Sequence, residues 1–154
     1  MYTFKKNERL GNYRLQSLLF DHGKAFFQYP FRVQYLFLTE KEMEGYLPDQ
    51  KDKAPGAVFI YPAKCLVSVS KRQIKQAVQR NQVKRLVREA YRKNKYSFYT
   101  FLEKKGYLSL VAFVYTADKI FPYSDIEEKV KLALVKLEEK FKQEGNSEQG
   151  SNIR

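Results

Sequence analysis

Apolar residues recur with a two-residue period, or in short unbroken runs, in several parts of the chain. Residues 31–39 alternate in this way and place Phe, Val, Tyr and Phe on one face of an extended chain. The apolar run at residues 107–115 is typical of a central strand. Two more strands are predicted at residues 57–61 and 66–70, separated near Pro62. The pattern therefore predicts a sheet of about four strands.

Elsewhere the apolar spacing is that of a helix. Asn12 can cap a first helix that runs to about His22. A second helix is predicted over residues 77–93, followed by a weaker helical region at residues 96–105. Ser124 can cap a last helix. The apolar residues at helical spacing in this last helix are Ile126, Val130, Leu134, Leu137 and Phe141.

The predicted elements follow in the order α-β-β-β-α-β-α, which indicates an α+β fold, a sandwich in which helices cover a single sheet. A chain of 154 residues with 44% hydrophobic content fits one domain with its own core, which we place at residues 1–143. Residues 40–56 are polar and contain two Pro and two Gly, so they predict a long hairpin loop. The polar residues 144–154 predict a disordered tail.

The positive charge of the chain is concentrated in one segment. The whole chain carries a net charge of +12, and residues 64–95 alone contain eleven Lys or Arg and one acid, Glu89. A basic patch of this density attracts polyphosphate, with binding driven by the release of counterions. A membrane surface is a weaker partner, because a helix on a membrane opposes its charges with exposed bulky apolar residues. The apolar side of this basic helix also suits packing against a sheet.

Within the patch, the helix predicted at residues 77–93 separates charge from apolar residues. Each helical residue advances by about 100°, so six polar side chains of residues 80–92 fall within an arc of roughly 140°. Glu89 is expected to point away from this arc. The polar arc contains Arg80, Asn81, Lys84, Arg85, Arg88 and Arg92. The apolar residues of this helix, most of which lie on the remaining side, are Val83, Leu86, Val87, Ala90 and Tyr91.

The residues needed for catalysis by the protein itself are scarce. The chain has one His and one Cys, so no internal disulfide can form, which agrees with a reducing cytosol. Cys65 lies in a predicted strand and is expected to be a small core residue, while His22 ends a surface helix. Neither a zinc-binding spacing nor a phosphate-binding glycine loop is present. A Cys–His dyad and a nuclease with paired carboxylates both stay open as minor alternatives.

Two further observations bear on location. No apolar run reaches the about 18 residues of a membrane span, and the first residues lack the apolar stretch of a signal peptide. We therefore expect a cytoplasmic protein without a membrane partner. The residues by themselves favour an RNA-binding protein over a helix-turn-helix DNA reader, because several strands are predicted and no tight helix pair.

A resemblance to a known family sharpens this interpretation. Residues 80–92 read RNQVKRLVREAYR and resemble the signature R-N-x-x-K-R-x-x-R-E-x-x-R of the bacterial ribonuclease P protein subunit. Residues 67–72 (VSVSKR) and 77–78 resemble the family's approach to this motif. The stretches 4–10 (FKKNERL) and 20–23 (FDHG) also resemble it. The resemblance is densest over the signature and is looser elsewhere.

The resemblance implies a fold and a function. The expected fold is a two-layer α/β sandwich of the ribosomal protein S5 domain 2-like type, with a left-handed β-α-β crossover that contains the signature helix. The expected function is that of the protein subunit of ribonuclease P, which removes the 5′ leader from precursor tRNA. The RNA subunit is expected to carry out the reaction with Mg²⁺ held mainly by the RNA, so the protein would have no catalytic residues and would bind no metal on its own. The expected partners are the catalytic RNA and precursor tRNA, with no obligate protein partner.

The resemblance also assigns residues. The polar residues that match the RNA-contacting positions of the family are Lys71, Arg72, Arg80, Asn81, Lys84, Arg85, Arg88 and Arg92. Aromatic residues of the first helix and the sheet line the leader cleft in the family, which implies Phe20 and, from the sheet, Tyr35. The alternative is a stand-alone RNA-binding or ribosomal-type protein without a role in processing.

Overall fold

The fold contains one four-stranded sheet and five α-helices in the residues that the structure describes. The structure, a computed structural model, describes residues 4–46 and 61–152, with side chains described as far as Glu144. The strands are β1 (Lys24–Gln28), β2 (Phe31–Leu38), β3 (Ala63–Val69) and β4 (Leu108–Tyr115). The helices are α1 (Tyr13–His22), α2 (Glu40–Tyr46), α3 (Ala77–Asn94), α4 (Tyr96–Lys105) and α5 (Tyr123–Asn152).

The strands lie in the order β1-β2-β4-β3. The pairs β1–β2 and β2–β4 are antiparallel, and β3–β4 is parallel. A parallel neighbour requires a crossover connection, and here α3 and α4 form it. The prediction of a single sheet packed against helices is confirmed, and the crossover contains the basic helix. The left-handed sense of this connection stays a prediction.

Helices pack on both faces of the sheet. The larger core lies between the sheet and α3, α4 and α5, and it includes Val67, Val87, Phe113 and Leu137. A smaller core lies beneath α1 and α2, where Leu15 and Leu19 contact the opposite face. The helices α3, α4 and α5 therefore cover one face of the sheet, whereas α1 and α2 cover only part of the other face.

Two elements differ from the sequence-based expectation. The strand β1 was not predicted, because its sequence KAFFQ does not alternate and a short edge strand buries little. The helix α2 occupies the start of the predicted loop at residues 40–56. Thr39 explains it, because its hydroxyl accepts from the backbone N–H of Glu42 at 3.2 Å and donates to the Glu42 carboxylate at 3.1 Å. The rest of that loop lies outside the described residues.

Two predictions concern segments at or beyond the described limits. The predicted strand at residues 57–61 lies outside the described residues except for Tyr61, which belongs to no strand. The last helix extends to Asn152, so helix continues into the segment for which a disordered tail is predicted. The domain boundary at residue 143 stays a prediction.

The packing side of α3 is as predicted with one exception. Val83, Val87, Ala90 and Tyr91 are completely buried, whereas Leu86 is only half-buried. We therefore expect Leu86→Ala to cost less unfolding free energy than the about 2–5 kcal/mol typical of a buried leucine. Leu137→Ala, at a fully buried position, should cost the full amount. Urea unfolding of both variants tests this, and equal costs would contradict the assigned faces.

Candidate RNA-binding surface

The basic surface begins in the turn between β3 and α3. Ser70 shapes this turn, because its carbonyl accepts from the N–H of Ile74 at 3.1 Å and its hydroxyl accepts from the N–H of Gln73 at 3.3 Å. Lys71 and Arg72 lie in the turn and are exposed. Their cationic groups therefore face solvent directly before the basic helix.

Arg80 has a structural role in addition to its charge. Its guanidinium donates to the carbonyl of Ile74 at 3.0 Å and to that of Lys75 at 2.7 Å. These bonds fasten the turn to the first turn of α3, where the preceding Gln76 makes no side-chain cap. Arg80 is consequently half-buried and part of its donor capacity is already used.

The central part of the arc presents its donors to solvent. Asn81 and Arg85 are exposed, and Lys84 and Arg88 are half-buried at its margin. Within the described part of the chain, no ion pair is found for Lys84, Arg85 or Arg88. A guanidinium without an acidic neighbour is well suited to bind a phosphate through two parallel hydrogen bonds.

The prediction that Glu89 points away from the cationic arc is wrong for one member of the arc, Arg92. Its carboxylate accepts from Arg92 Nη2 at 2.6 Å and from Arg92 Nε at 2.9 Å, and Lys93 Nζ lies 3.9 Å away. The hydrogen bonds from Arg92 lower the pKa of Glu89, so this carboxylate stays ionised at neutral pH. Part of the charge of Arg92 is therefore balanced within the protein.

An open groove follows the exposed side of α3. Its second wall is the N-terminal segment, where a short 3-10 helix (Lys6–Glu8) precedes Arg9. The groove therefore has arginine side chains in both of its walls. It is lined by Phe4, Arg9, Val78, Asn81, Gln82, Arg85, Arg88, Glu89 and Arg92.

The two aromatic residues expected to share a cleft lie on opposite faces of the sheet. Phe20 in α1 is 44% exposed, whereas Tyr35 is 3% exposed. Gln34 donates to the carbonyl of Leu19 in α1 at 3.3 Å, so its neighbour Tyr35 points to the other face, toward α5. Burial and the nearby Glu144 raise the pKa of Tyr35 to about 12. Tyr35 is a core residue, and its assignment to a cleft with Phe20 is corrected.

A different aromatic residue faces the same side as α1. Phe27 is 68% exposed and pairs with Arg32, which lies two residues from Gln34 and therefore on the same face. Arg32 pairs in turn with Val114, and Val114 pairs with Ser68. We call this set the exposed row, in which Phe27 and Arg32 are exposed and Val114 and Ser68 are half-buried. The sequence analysis missed Phe27; the turn residues Tyr29-Pro30 are the signal that could have indicated a hairpin with Phe27 opposite Arg32.

The exposed row lies at the end of the sheet where β3 finishes. Val69, the last residue of β3, pairs with Tyr115, the last residue of β4. Lys71 and Arg72 follow β3 at this same end. One surface with an aromatic ring and a cation therefore lies beside the basic turn that leads into α3.

The described residues were also compared with the requirements of a Cys–His dyad, a metal site and a membrane span. Cys65 is buried in β3 and burial raises the pKa of its thiol, while His22 is exposed at the end of α1. Among the side chains of residues 4–46 and 61–144, no group of three His, Cys, Asp or Glu could hold a metal ion. None of the described helices combines the length and apolarity needed to cross a membrane.

Comparison with known proteins agrees with the geometry. The family model described as Ribonuclease P matches residues 4–138. The protein components of ribonuclease P from two strains of Porphyromonas gingivalis are 31% and 32% identical over 136 residues, covering 88% of this chain and 87% of each relative. The corresponding protein of Chlorobium phaeobacteroides is 31% identical over 102 residues, covering 66% of this chain and 60% of that relative.

A solved structure shares the fold. The RNase P protein of Staphylococcus aureus superposes with a TM-score of 0.54 at 18% identity, covering 84% of this chain and 94% of that one. The basic helix, its preceding turn and the sheet that supports them thus occur within a shared architecture. On the family match and the curated relatives, the chain belongs to the ribonuclease P protein family, the protein components of the ribonucleoprotein that processes the 5′ ends of tRNA.

Proposed function

We propose that this protein binds the catalytic RNA of ribonuclease P through α3 and the turn that precedes it. The observation that carries the proposal is the cationic arc of α3, in which Lys84, Arg85 and Arg88 have no acidic partner among the described residues. Cations held on a rigid helix match the phosphates of a folded RNA, and counterion release supplies the affinity. We also propose that it acts in the cytoplasm and without an obligate protein partner.

The reaction itself is assigned to the RNA. This part of the proposal agrees with the described residues, among which no three His, Cys, Asp or Glu side chains are grouped so that they could hold a metal ion. When bound by the RNA, Mg²⁺ would supply the activated water and stabilise the leaving oxygen. The protein's own contribution is to position RNA.

The 5′ leader of precursor tRNA is proposed to cross the exposed row. A single strand binds where aromatic rings stack on bases and cations track the phosphates. Phe27 supplies a ring and Arg32 a cation on the same face, and Phe20 is an exposed ring on the helix that covers the rest of this face. Lys71 and Arg72, at the same end of the sheet, connect this path to α3.

Reconstitution tests the proposed function. The protein is mixed with a bacterial ribonuclease P RNA at low Mg²⁺, where RNA alone is slow, and 5′ processing of a precursor tRNA is followed. We expect strong stimulation by the protein and no cleavage by the protein alone. RNA binding without stimulation would instead support a stand-alone RNA-binding protein, and cleavage by the protein alone would support a nuclease.

Phe27 provides a test of the leader path. Phe27→Ala is expected to weaken binding of precursor tRNA to the holoenzyme by about 1–3 kcal/mol, the usual contribution of one stacked base. Binding of mature tRNA, which has no leader, should be unchanged. Tyr96→Ala removes a ring that is also exposed but lies on α4, and it serves as the matched control. Equal losses for both tRNAs would contradict the proposed path.

A further inference from the structure

We infer that Arg9, in the N-terminal segment, is a further contact for the ribonuclease P RNA and binds a phosphate across the groove from α3. This inference rests on the proposed function and extends its surface beyond the helix. It depends on the position of Arg9 in the groove, on how its side chain is held, and on how the segment is anchored.

Arg9 faces the cations of α3 across an open groove. One wall contains Phe4 and Arg9, and the other contains Arg85 and Arg88. Arg9 is exposed, and no described acidic side chain forms an ion pair with it. In addition to Arg92, which is paired with Glu89, three guanidinium groups line this groove. Together they attract an anion that reaches both walls, and the phosphate backbone of RNA supplies such anions in series.

The side chain of Arg9 is held by an aromatic ring. Its guanidinium carbon lies 5.5 Å from the centroid of the Phe4 ring, and Phe4 in turn packs edge-on against Tyr91 at 5.5 Å. Tyr91 is fully buried in α3. A guanidinium stacked on a ring keeps its N–H groups free for a second partner. The structure therefore orients Arg9 without using its donors.

The backbone around Arg9 is fixed to the core. The N–H of Leu10 donates to the carbonyl of Cys65 at 3.0 Å, and Arg9 forms a parallel bridge with Cys65. Lys64 Nζ donates to the carbonyl of Asn7 at 2.7 Å. A segment anchored in this way loses little conformational entropy on binding, so a phosphate contact from Arg9 adds affinity.

The experiment compares two charge-removing substitutions in the same segment. Arg9→Gln removes the cation in the groove, and Lys6→Gln removes an exposed cation from the preceding 3-10 helix that does not line it. Binding of ribonuclease P RNA is measured as a function of salt concentration. For Arg9→Gln we expect the slope of log affinity against log salt concentration to be shallower by about 0.7–0.9, the value of one phosphate contact. Lys6→Gln should have the same salt slope as the wild-type protein. Both variants should have the melting temperature of the wild-type protein.

A third variant separates charge from shape. Arg9→Lys should keep the salt slope and bind more weakly, because an ammonium cannot make two parallel hydrogen bonds or stack on Phe4 as well. Equal salt slopes for Arg9→Gln and Lys6→Gln would overturn the inference while the wild-type protein still stimulates processing. A wild-type protein that neither binds the RNA nor stimulates processing would overturn the proposed function instead.

Discussion

Replacing Arg85 and Arg88 together with glutamine is expected to weaken binding to ribonuclease P RNA by roughly 10- to 100-fold near 0.1 M salt. Each lost phosphate contact also removes about 0.7–0.9 from the slope of log affinity against log salt, so the double variant should be shallower by about 1.4–1.8. The reason is that both guanidiniums lie on the exposed arc of α3 without an ion-pair partner in the described structure. Fluorescence anisotropy at several salt concentrations measures both quantities.

The control for this experiment removes the same charge elsewhere. Lys104 and Lys105 lie exposed in the last turn of α4, away from the groove. Replacing both with glutamine lowers the net charge equally, so it should cause only the small uniform loss expected from the overall field. If the two double variants bind the RNA with the same affinity and salt slope, binding depends on net charge and the arc on α3 has no special role.

Glu8→Gln is expected to lower the free energy of unfolding by about 3–5 kcal/mol, because it removes one charge of a buried ion pair. Glu8 is completely buried and forms an ion pair with Lys95, which is nearly so. The hydroxyl of Tyr99 donates to the same carboxylate at 2.8 Å, and the backbone N–H of Lys5 donates to it at 2.6 Å. Glutamine keeps the shape and part of this hydrogen bonding but removes the charge.

Urea unfolding measures the cost, and two other variants interpret it. Glu128→Gln, at an exposed position of α5, should cost little. The double variant Glu8→Gln with Lys95→Met removes both charges and should recover much of the loss, as replacement of buried pairs often does. A cost below about 1 kcal/mol for Glu8→Gln would mean that the ammonium of Lys95 finds water or another partner.

The elements with strong periodicity could be predicted from sequence. The helix α3 and the strands β2 and β4 follow from long, regular patterns, and the structure places them within a few residues of the expected limits. The short elements could not be predicted in the same way. β1 is an edge strand stabilised mainly by pairing with β2, and α2 depends on a capping interaction of Thr39 and on the burial of Met43.

The site shows a similar division. Angular spacing on a helix predicts which way a side chain leaves the axis, and it placed Arg85 and Arg88 correctly. It does not describe the reach of a flexible side chain, and for this reason it missed the bonds from Arg92 to Glu89 and from Arg80 to the preceding turn. Tyr35 was misassigned because a strand alternates, so the face of each residue depends on which side α1 covers.

The anchor of the N-terminal segment has a consequence for biosynthesis. Glu8 is held by Lys95 and Tyr99, which lie 87 and 91 residues later in the chain. The ribosome must therefore complete α3 and enter α4 before the first residues can take their place beside the basic helix. A nascent chain at that stage already carries its cations, and an unfolded chain would carry the same ones. Folding adds their arrangement around a groove. We therefore expect selective RNA binding to arise late in synthesis, whereas residues 64–95 should attract polyanions as soon as they emerge.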